Sequence, residues 1–332
     1  MIEEILIGVK CIGKFGKVLI VITSFLLLVS GCGKKEEVVA AYETENYNKA
    51  IYKADLFADN LCVVSEDVDL EGTPDTSGLH AAALFDLDGK KVDFSYHVFE
   101  RLYPASTTKI LTTLVALKNA DLSDMVTVST NADAARFAAD EQTCGIHAGD
   151  QLTLSDLLYG LLLYSGNDNA VAIAEYVGGS MDHFVQMMND EAQDLLATGT
   201  HFVNSNGLHN ENHYTTAYDL YLIFNECLKY DEFVNIISAD SHVASITGAD
   251  GTVRQITWQP TNFYATGEAE LPDSATVIGG KTGTTQEAGN CLILLEKGAN
   301  EHPYISIVMG ADTKGILYQD MTMLINAIPE KQ

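Results

Sequence analysis

Three short segments of this 332-residue chain carry residue types suited to acyl transfer: Ser106-Thr107-Thr108-Lys109, Ser165-Gly166-Asn167 and Lys281-Thr282-Gly283. A serine hydroxyl is a weak nucleophile until a base takes its proton. Residues i and i+3 of a helix share a face, so Ser106 and Lys109 meet if a helix begins near Ala105. Pro104 suits such a start, and Ile110, Leu111, Leu114, Val115 and Leu117 bury the turns that follow. A lysine buried beside a second cation, Lys281, has a depressed pKa and can act as a neutral base. Ser165 can relay a proton toward a leaving amine, and Asn167 can hold a substrate amide. Lys281-Thr282-Gly283 follows the apolar run 275–278 and reads as an edge strand. Its glycines, Gly279, Gly280 and Gly283, let a substrate backbone approach closely. The backbone N–H groups of Ser106 and Thr284 are the expected oxyanion donors. Taken singly, these segments are more often a solvated helix face, a turn and a strand end. Their order and spacing carry the reading.

As a set, the three segments resemble those of penicillin-binding proteins and class A β-lactamases. The wider match is to the serine-type D-alanyl-D-alanine carboxypeptidases, the low-molecular-mass penicillin-binding proteins. Tyr103 to Lys109 is similar to that family's nucleophile segment. Gly149-Asp150-Gln151-Leu152-Thr153, running through Leu157-Leu158-Tyr159-Gly160 to Ser165-Gly166-Asn167-Asp168, is similar to its second. Asn204 to His209 and Thr216 to Leu220 resemble its middle region, and Lys281 to Thr285 with Ala288-Gly289 its third. The likeness covers roughly residues 61–328.

The resemblance implies an α+β, β-lactamase/transpeptidase-like fold and a serine D,D-carboxypeptidase. Ser106 would attack the penultimate D-alanine carbonyl of a peptidoglycan stem peptide, and water would then hydrolyse the acyl-enzyme. β-Lactams would acylate the same serine. The implied catalytic residues are Ser106, Lys109 and Ser165. The substrate-binding residues are Asn167, Lys281, Thr282, Gly283 and Thr284, and no cofactor or metal is called for. Three other readings stay open: a D,D-endopeptidase, a β-lactamase and a non-catalytic β-lactam sensor. Class A β-lactamases use a glutamate, usually followed four residues later by asparagine, to activate the deacylating water. Here Glu191 is followed at that offset by Leu195 and Glu211 by Thr215, and the second motif is Ser-Gly-Asn rather than Ser-Asp-Asn. Many relatives also carry an arginine after the last strand that helps bind the substrate carboxylate. Ile316 or Leu317 stands at that point, with Lys314 just upstream.

The N-terminus carries a second signal. Lys10, Lys14 and Lys17 precede the apolar run Val18 to Val29, the charged region and core of a signal peptide. That core is short for a membrane span. It ends in Val29-Ser30-Gly31-Cys32, which resembles a bacterial lipoprotein cleavage site. Residues 1–31 are therefore expected to be a signal peptide. Residues 32–60 would form a lipidated tether from Cys32, and residues 61–328 the catalytic domain at the extracytoplasmic face of the membrane. Two or three acyl chains make a stable anchor where one is marginal. An uncleaved membrane helix or an ordinary secretory signal is the competing reading.

The chain holds 19 Lys+Arg against 46 Asp+Glu, a net charge of −27. Removing the three lysines and two glutamates of residues 1–31 leaves −28. No basic patch offers nucleic acid a surface. Cys62, Cys144, Cys227 and Cys291 are too widely spread to read as a disulfide framework. His201, His209 and His213 cluster in a loop without metal-ligand spacing and read as structural.

These segments need elements to hold them. Ala81 to Phe85 and Val92 to Tyr96 flank Asp88-Gly89, a hairpin signal. Thr153 or Ser155 can cap a helix through Leu157, Leu158, Leu161 and Leu162. Further helices are predicted over 170–177, 181–196 and 216–228, with a turn between extended runs at Asp250-Gly251. Cys291 to Leu295 and Tyr304 to Met309 suit buried strands, and Gln319 to Ile328 a final helix. Strands at both ends of the chain around a helical middle predict one antiparallel sheet packed with helices.

Overall fold

A computed structural model describes residues 58, 60–70, 76–299 and 301–328. The expected signal segment and Cys32 lie outside the described residues. The chain first runs as a hairpin, β1 (Ala81–Asp86) and β2 (Lys91–Tyr96). A 3₁₀ turn, Ala105–Thr108, leads into α1 (Lys109–Asn119) and the short strand β3 (Met125–Thr127). Strand β4 (Gln151–Thr153) then feeds α2 (Leu154–Tyr159), whose last turn widens into a π turn at Gly160–Tyr164. Helices α3 (Asn167–Gly178), α4 (Met181–Asp194), α5 (Ala217–Cys227) and α6 (Asp231–Ile237) follow. A hairpin, β5 (His242–Thr247) and β6 (Val253–Trp258), and the single turn α7 (Phe263–Thr266) lead to three long strands. These are β7 (Ala275–Thr285), β8 (Gly289–Gly298) and β9 (Pro303–Ala311), and α8 (Lys314–Asn326) closes the domain.

The two chain ends build one antiparallel sheet of order β2-β1-β9-β8-β7, as the sequence implied. Its central strands are buried on both faces, which is why they read as continuous apolar runs. Alternate residues serve opposite layers. Ala82, Leu84, Leu292, Leu294 and Val308 pack against Leu317, Met321, Leu324 and Ile325 of α8. Ala81, Ala83, Phe85, Ile293 and Ile307 belong to the larger core shared with the helical region. There Phe85 stacks on Tyr221 of α5, ring centroids 4.1 Å apart. Strand β7 has β8 on one side only, so the third motif lies on a sheet edge.

Helix α1 threads the middle of the molecule, with every residue from Lys109 to Ala116 buried. Such a helix must satisfy its polar side chains internally. Thr112 Oγ1 donates to the Ser205 carbonyl (2.7 Å) and Thr113 Oγ1 to the Lys109 carbonyl (2.8 Å). A second, four-stranded sheet has the order β3-β4-β5-β6; its β5–β6 hairpin lies at the expected Asp250-Gly251 turn, whereas β3 and β4 were not foreseen from the sequence. Helix α8 begins at Lys314 rather than at the expected Gln319, because the Thr313 hydroxyl accepts the Ile316 N–H as a cap (3.1 Å). Cys62, Cys144, Cys227 and Cys291 are free thiols, each buried.

One buried group works against stability. Glu296 of β8 is fully buried, and burial pushes its carboxyl well above the usual range. A raised carboxyl pKa means the folded state prefers the proton. Stability is therefore whole below the unfolded value of 4.5 and falls as pH rises above it. Glu296→Gln is expected to raise stability at pH 7 by up to about 3 kcal/mol, with no gain near pH 4. Denaturant unfolding at the two pH values checks this; an equal effect at both would contradict it.

Candidate active site

Ser106, the expected nucleophile, sits on a strained turn. Ala105, directly before Ser106, has φ 48°, a left-handed conformation that alanine adopts at a cost. The 3₁₀ turn that follows points Ser106 and Lys109 the same way, and the α-helix takes over at Lys109. Lys109 Nζ lies 2.8 Å from Ser106 Oγ, so the spacing does what the sequence expected of it.

Lys109 is fully buried, and its nitrogen has two other partners: Asn167 Oδ1 at 2.8 Å and the Asn206 carbonyl at 2.6 Å. Both are oxygens that accept only. In a neutral amine they take its two N–H groups, and the lone pair is left for the Ser106 hydroxyl. Burial, and then the charge of Lys281, hold the Lys109 pKa well below its ordinary value; the Asp168 carboxylate acts weakly the other way. The geometry of a general base is thus complete without substrate.

Lys281 of β7 reaches across to the second motif. Its Nζ donates to Ser165 Oγ and to the Thr282 carbonyl, each at 2.9 Å. Burial lowers its pKa to about 7. Ser165 has φ 69° and closes the π turn, a helix defect that recurs at functional sites. Gly166 then starts α3, whose first residue is Asn167. With Oδ1 held by Lys109, the Asn167 Nδ2 is the end free to meet a carbonyl. Beneath them Asp168, fully buried, accepts the backbone N–H groups of Cys144, Gly145, Ile146 and Asn169 at 2.8–3.2 Å.

The third motif lines the opposite wall. A Cβ on Gly283 would come within 3.0 Å of the Ser106 nitrogen, so this strand touches the nucleophile turn backbone to backbone. Any side chain at 283 would push the two apart. Thr282 Oγ1 hydrogen-bonds Thr261 Oγ1 (2.6 Å), and Thr284 Oγ1 donates to Asn290 Oδ1 (3.2 Å). Beyond them is a cleft of about 50 Å³ lined by Thr261, Phe263, Thr282, Thr284, Lys314 and Leu317. Leu317 faces this cleft, whereas Ile316 packs toward Gly78. Lys314 Nζ lies over the Phe263 ring, 4.9 Å from its centroid.

The structure therefore brings Ser106, Lys109, Ser165, Asn167, Lys281, Thr282, Gly283 and Thr284 together. Sequence reasoning missed the Asn206 carbonyl, because a main-chain acceptor leaves no mark of its own in the residue type. It also passed over Asp168 as a partner of backbone amides. Of the loop histidines, His213 is buried, and its Nδ1 and Nε2 bond the Val203 N–H and Thr108 Oγ1. His201 bonds the Asn212 carbonyl through Nδ1 (2.6 Å).

The chain belongs to the D-alanyl-D-alanine carboxypeptidase family, whose pattern matches residues 71–313. It is 34% identical over 241 residues to D-alanyl-D-alanine carboxypeptidase DacF of Bacillus subtilis, covering 70% of this chain and 57% of that protein. It is 33% identical over 249 residues to DacC of Escherichia coli, covering 73% and 59%. The matched region thus spans less than two thirds of the length of these relatives. Among solved structures, the Streptomyces K15 DD-transpeptidase superposes with a TM-score of 0.70 at 26% identity, covering 77% of this chain and 98% of that one. Penicillin binding protein 5 of Haemophilus influenzae gives 0.66 at 27%, covering 76% and 71%. The β-lactamase/transpeptidase-like α+β fold is thereby established.

The two lysines set a pH window. Lys109 must be neutral to accept a proton, so reactivity of Ser106 rises with pH through its lowered pKa. Lys281 must keep its proton to act as an acid through Ser165, so reactivity falls as pH rises past about 7. A bell-shaped profile of the penicillin acylation rate is expected. Lys109→Arg, which cannot release its proton, should lower the plateau by about a hundredfold or more. A rate within about threefold of wild type would remove Lys109 from the base role.

Proposed function

We propose that this chain is a serine D,D-carboxypeptidase that trims the terminal D-alanine from peptidoglycan stem peptides. The observation that carries the reading is the Lys109 amine, poised on Ser106 Oγ with its other contacts held by Asn167 and Asn206. Lys109 takes the hydroxyl proton as Ser106 attacks the penultimate carbonyl. The oxyanion is received by the Ser106 and Thr284 N–H groups. The C–N bond then breaks, and Ser165, bonded to Lys281, passes a proton to the leaving D-alanine amine. The proton that Lys109 took then restores the one Lys281 gave up through Ser165, and the neutral Lys109 takes a proton from the water that attacks the ester and returns it to Ser106 Oγ. A β-lactam presents a similar carbonyl and carboxylate and acylates the same serine.

Two observations weigh against a β-lactamase. Glu191 is engaged by Lys118 at 2.6 Å, and Glu211 is exposed on a loop, so neither is set over Ser106. The terminal carboxylate fits the cleft beside Thr282 and Thr284. There Lys314 supplies the cation that the arginine-bearing relatives place elsewhere, and it favours exopeptidase over endopeptidase action.

The test is mass analysis of a pentapeptide stem after incubation. Loss of one alanine by wild type and none by Ser106→Ala is expected; turnover by the alanine variant would overturn the mechanism. Lys314→Met is expected to weaken the preference for a free over an amidated terminus by about tenfold to a hundredfold, the worth of a charged hydrogen bond. An unchanged preference would remove Lys314 from carboxylate binding.

We further propose that residues 1–31 are removed and that Cys32 carries the lipid, placing the domain on the extracytoplasmic face of the membrane. The support is the lysine-flanked apolar core ending at Gly31-Cys32. Cys32→Ala is expected to abolish incorporation of radiolabelled palmitate; continued labelling would sink the lipoprotein reading.

A further inference from the structure

We infer that His213, acting through Thr108, is a positioning residue that aims the oxyanion-binding N–H of Ser106. The inference rests on the acyl-enzyme reading above and extends it to a loop that touches no substrate.

The hydrogen bonds run in one direction. His213 Nδ1 accepts the Val203 N–H (3.1 Å), so Nε2 carries the ring proton. Nε2 lies 2.8 Å from Thr108 Oγ1. The one hydroxyl proton of Thr108 goes to the Ala105 carbonyl (2.8 Å), so Thr108 must accept from the histidine. The ring is held edge-on to Phe202, centroids 5.3 Å apart, and burial keeps it neutral with a pKa of about 4. The chain thus ends on the carbonyl of the strained residue before the nucleophile.

That carbonyl matters because of what shares its plane. The Ala105–Ser106 peptide is trans, so its C=O and N–H point in opposite directions. Anchoring the carbonyl on one side aims the Ser106 N–H on the other, toward Gly283 and the substrate cleft. Left alone, Ala105 would relax from φ 48° toward negative φ and swing this plane. The same loop closes the other escape. Gly207, at φ 86°, seats so closely that a Cβ there would lie 1.8 Å from the Ala105 oxygen. The loop is tied to the segment before the nucleophile by paired Leu102–Thr215 backbone bonds of 2.8 and 2.9 Å. It also supplies the Asn206 carbonyl to Lys109. One loop therefore places both the base and the oxyanion donor.

The experiment is pre-steady-state acylation of the domain by a fluorescent penicillin, which separates the affinity of the non-covalent complex from the acylation rate. Thr108→Val is expected to lower the rate about tenfold to a hundredfold, less than outright loss of an oxyanion donor, with affinity unchanged. His213→Leu should match it. The double variant should be no slower than either single one, because both cut the same chain. His213→Gln, which keeps an N–H donor, and Thr108→Ser, which keeps the hydroxyl, should recover most of the rate. If Thr108→Val does not fold, Thr108→Ala is compared with Thr108→Ser instead. A wild-type rate in the hydroxyl-deleted variant, a loss confined to affinity, or losses that multiply in the double variant would overturn the inference. Wild-type protein that takes no label at Ser106 would sink the carboxypeptidase reading instead.

Discussion

Two lysines buried in one cleft cannot both keep their charge cheaply, and most of the surrounding structure decides which of them does. Removing an ammonium from water costs several kcal/mol even after relaxation. Lys109 meets that cost by giving up its proton: it is fully buried, its neighbours are neutral oxygens, and Lys281 repels its charge. Lys281 holds its proton to about pH 7 between Ser165 Oγ and the Thr282 carbonyl. In the proposed mechanism the cleft thereby has a base beside Ser106 and an acid beside the leaving group from two residues of one type. Four elements supply its walls: α1, the start of α3, the loop through Asn206 and the edge strand β7.

Rigidity of those walls follows from how they are built. Strand β7 is held by β8 along nearly its whole length, and β8 and β9 are buried on both faces. Helix α1 is buried through its first two turns. Against this frame two non-glycine residues of the site are held left-handed: Ala105, directly before Ser106, and Ser165 itself. Strain of this kind persists only where neighbours over-determine it. Thr108 and Gly207 do so at Ala105, and the Lys281 contact together with the π turn does so at Ser165.

How much of this could be read from residues alone depended on range. The Asp88-Gly89 hairpin, the apolar strands around Ile293 and Ile307 and the helices capped at Thr153 and Thr216 declare themselves within a few residues. Ser106 and Lys109 were placed together by helix spacing, and Lys281 by its strand. Strands β3 and β4 were invisible because three residues are too few to show a period of two. The start of α8 was missed because Thr313-Lys314-Gly315 reads as loop until the Thr313 cap is seen. The part played by His213 was hidden for a different reason. Its partner Thr108 lies 105 positions away, and the bond gains meaning only through the backbone angle of Ala105.

The central claim is that Lys109 is a neutral amine at working pH while Lys281 still carries a proton below about pH 7. The most direct measurement is a pH titration of lysine side chains labelled with ¹³C at Cε, with Lys109→Met and Lys281→Met used to assign the two resonances. The account predicts that Lys109 titrates well below the ordinary lysine value of 10.5, and that Lys281 changes state near pH 7. A Lys109 resonance that stays in the ammonium form up to pH 9 would contradict it.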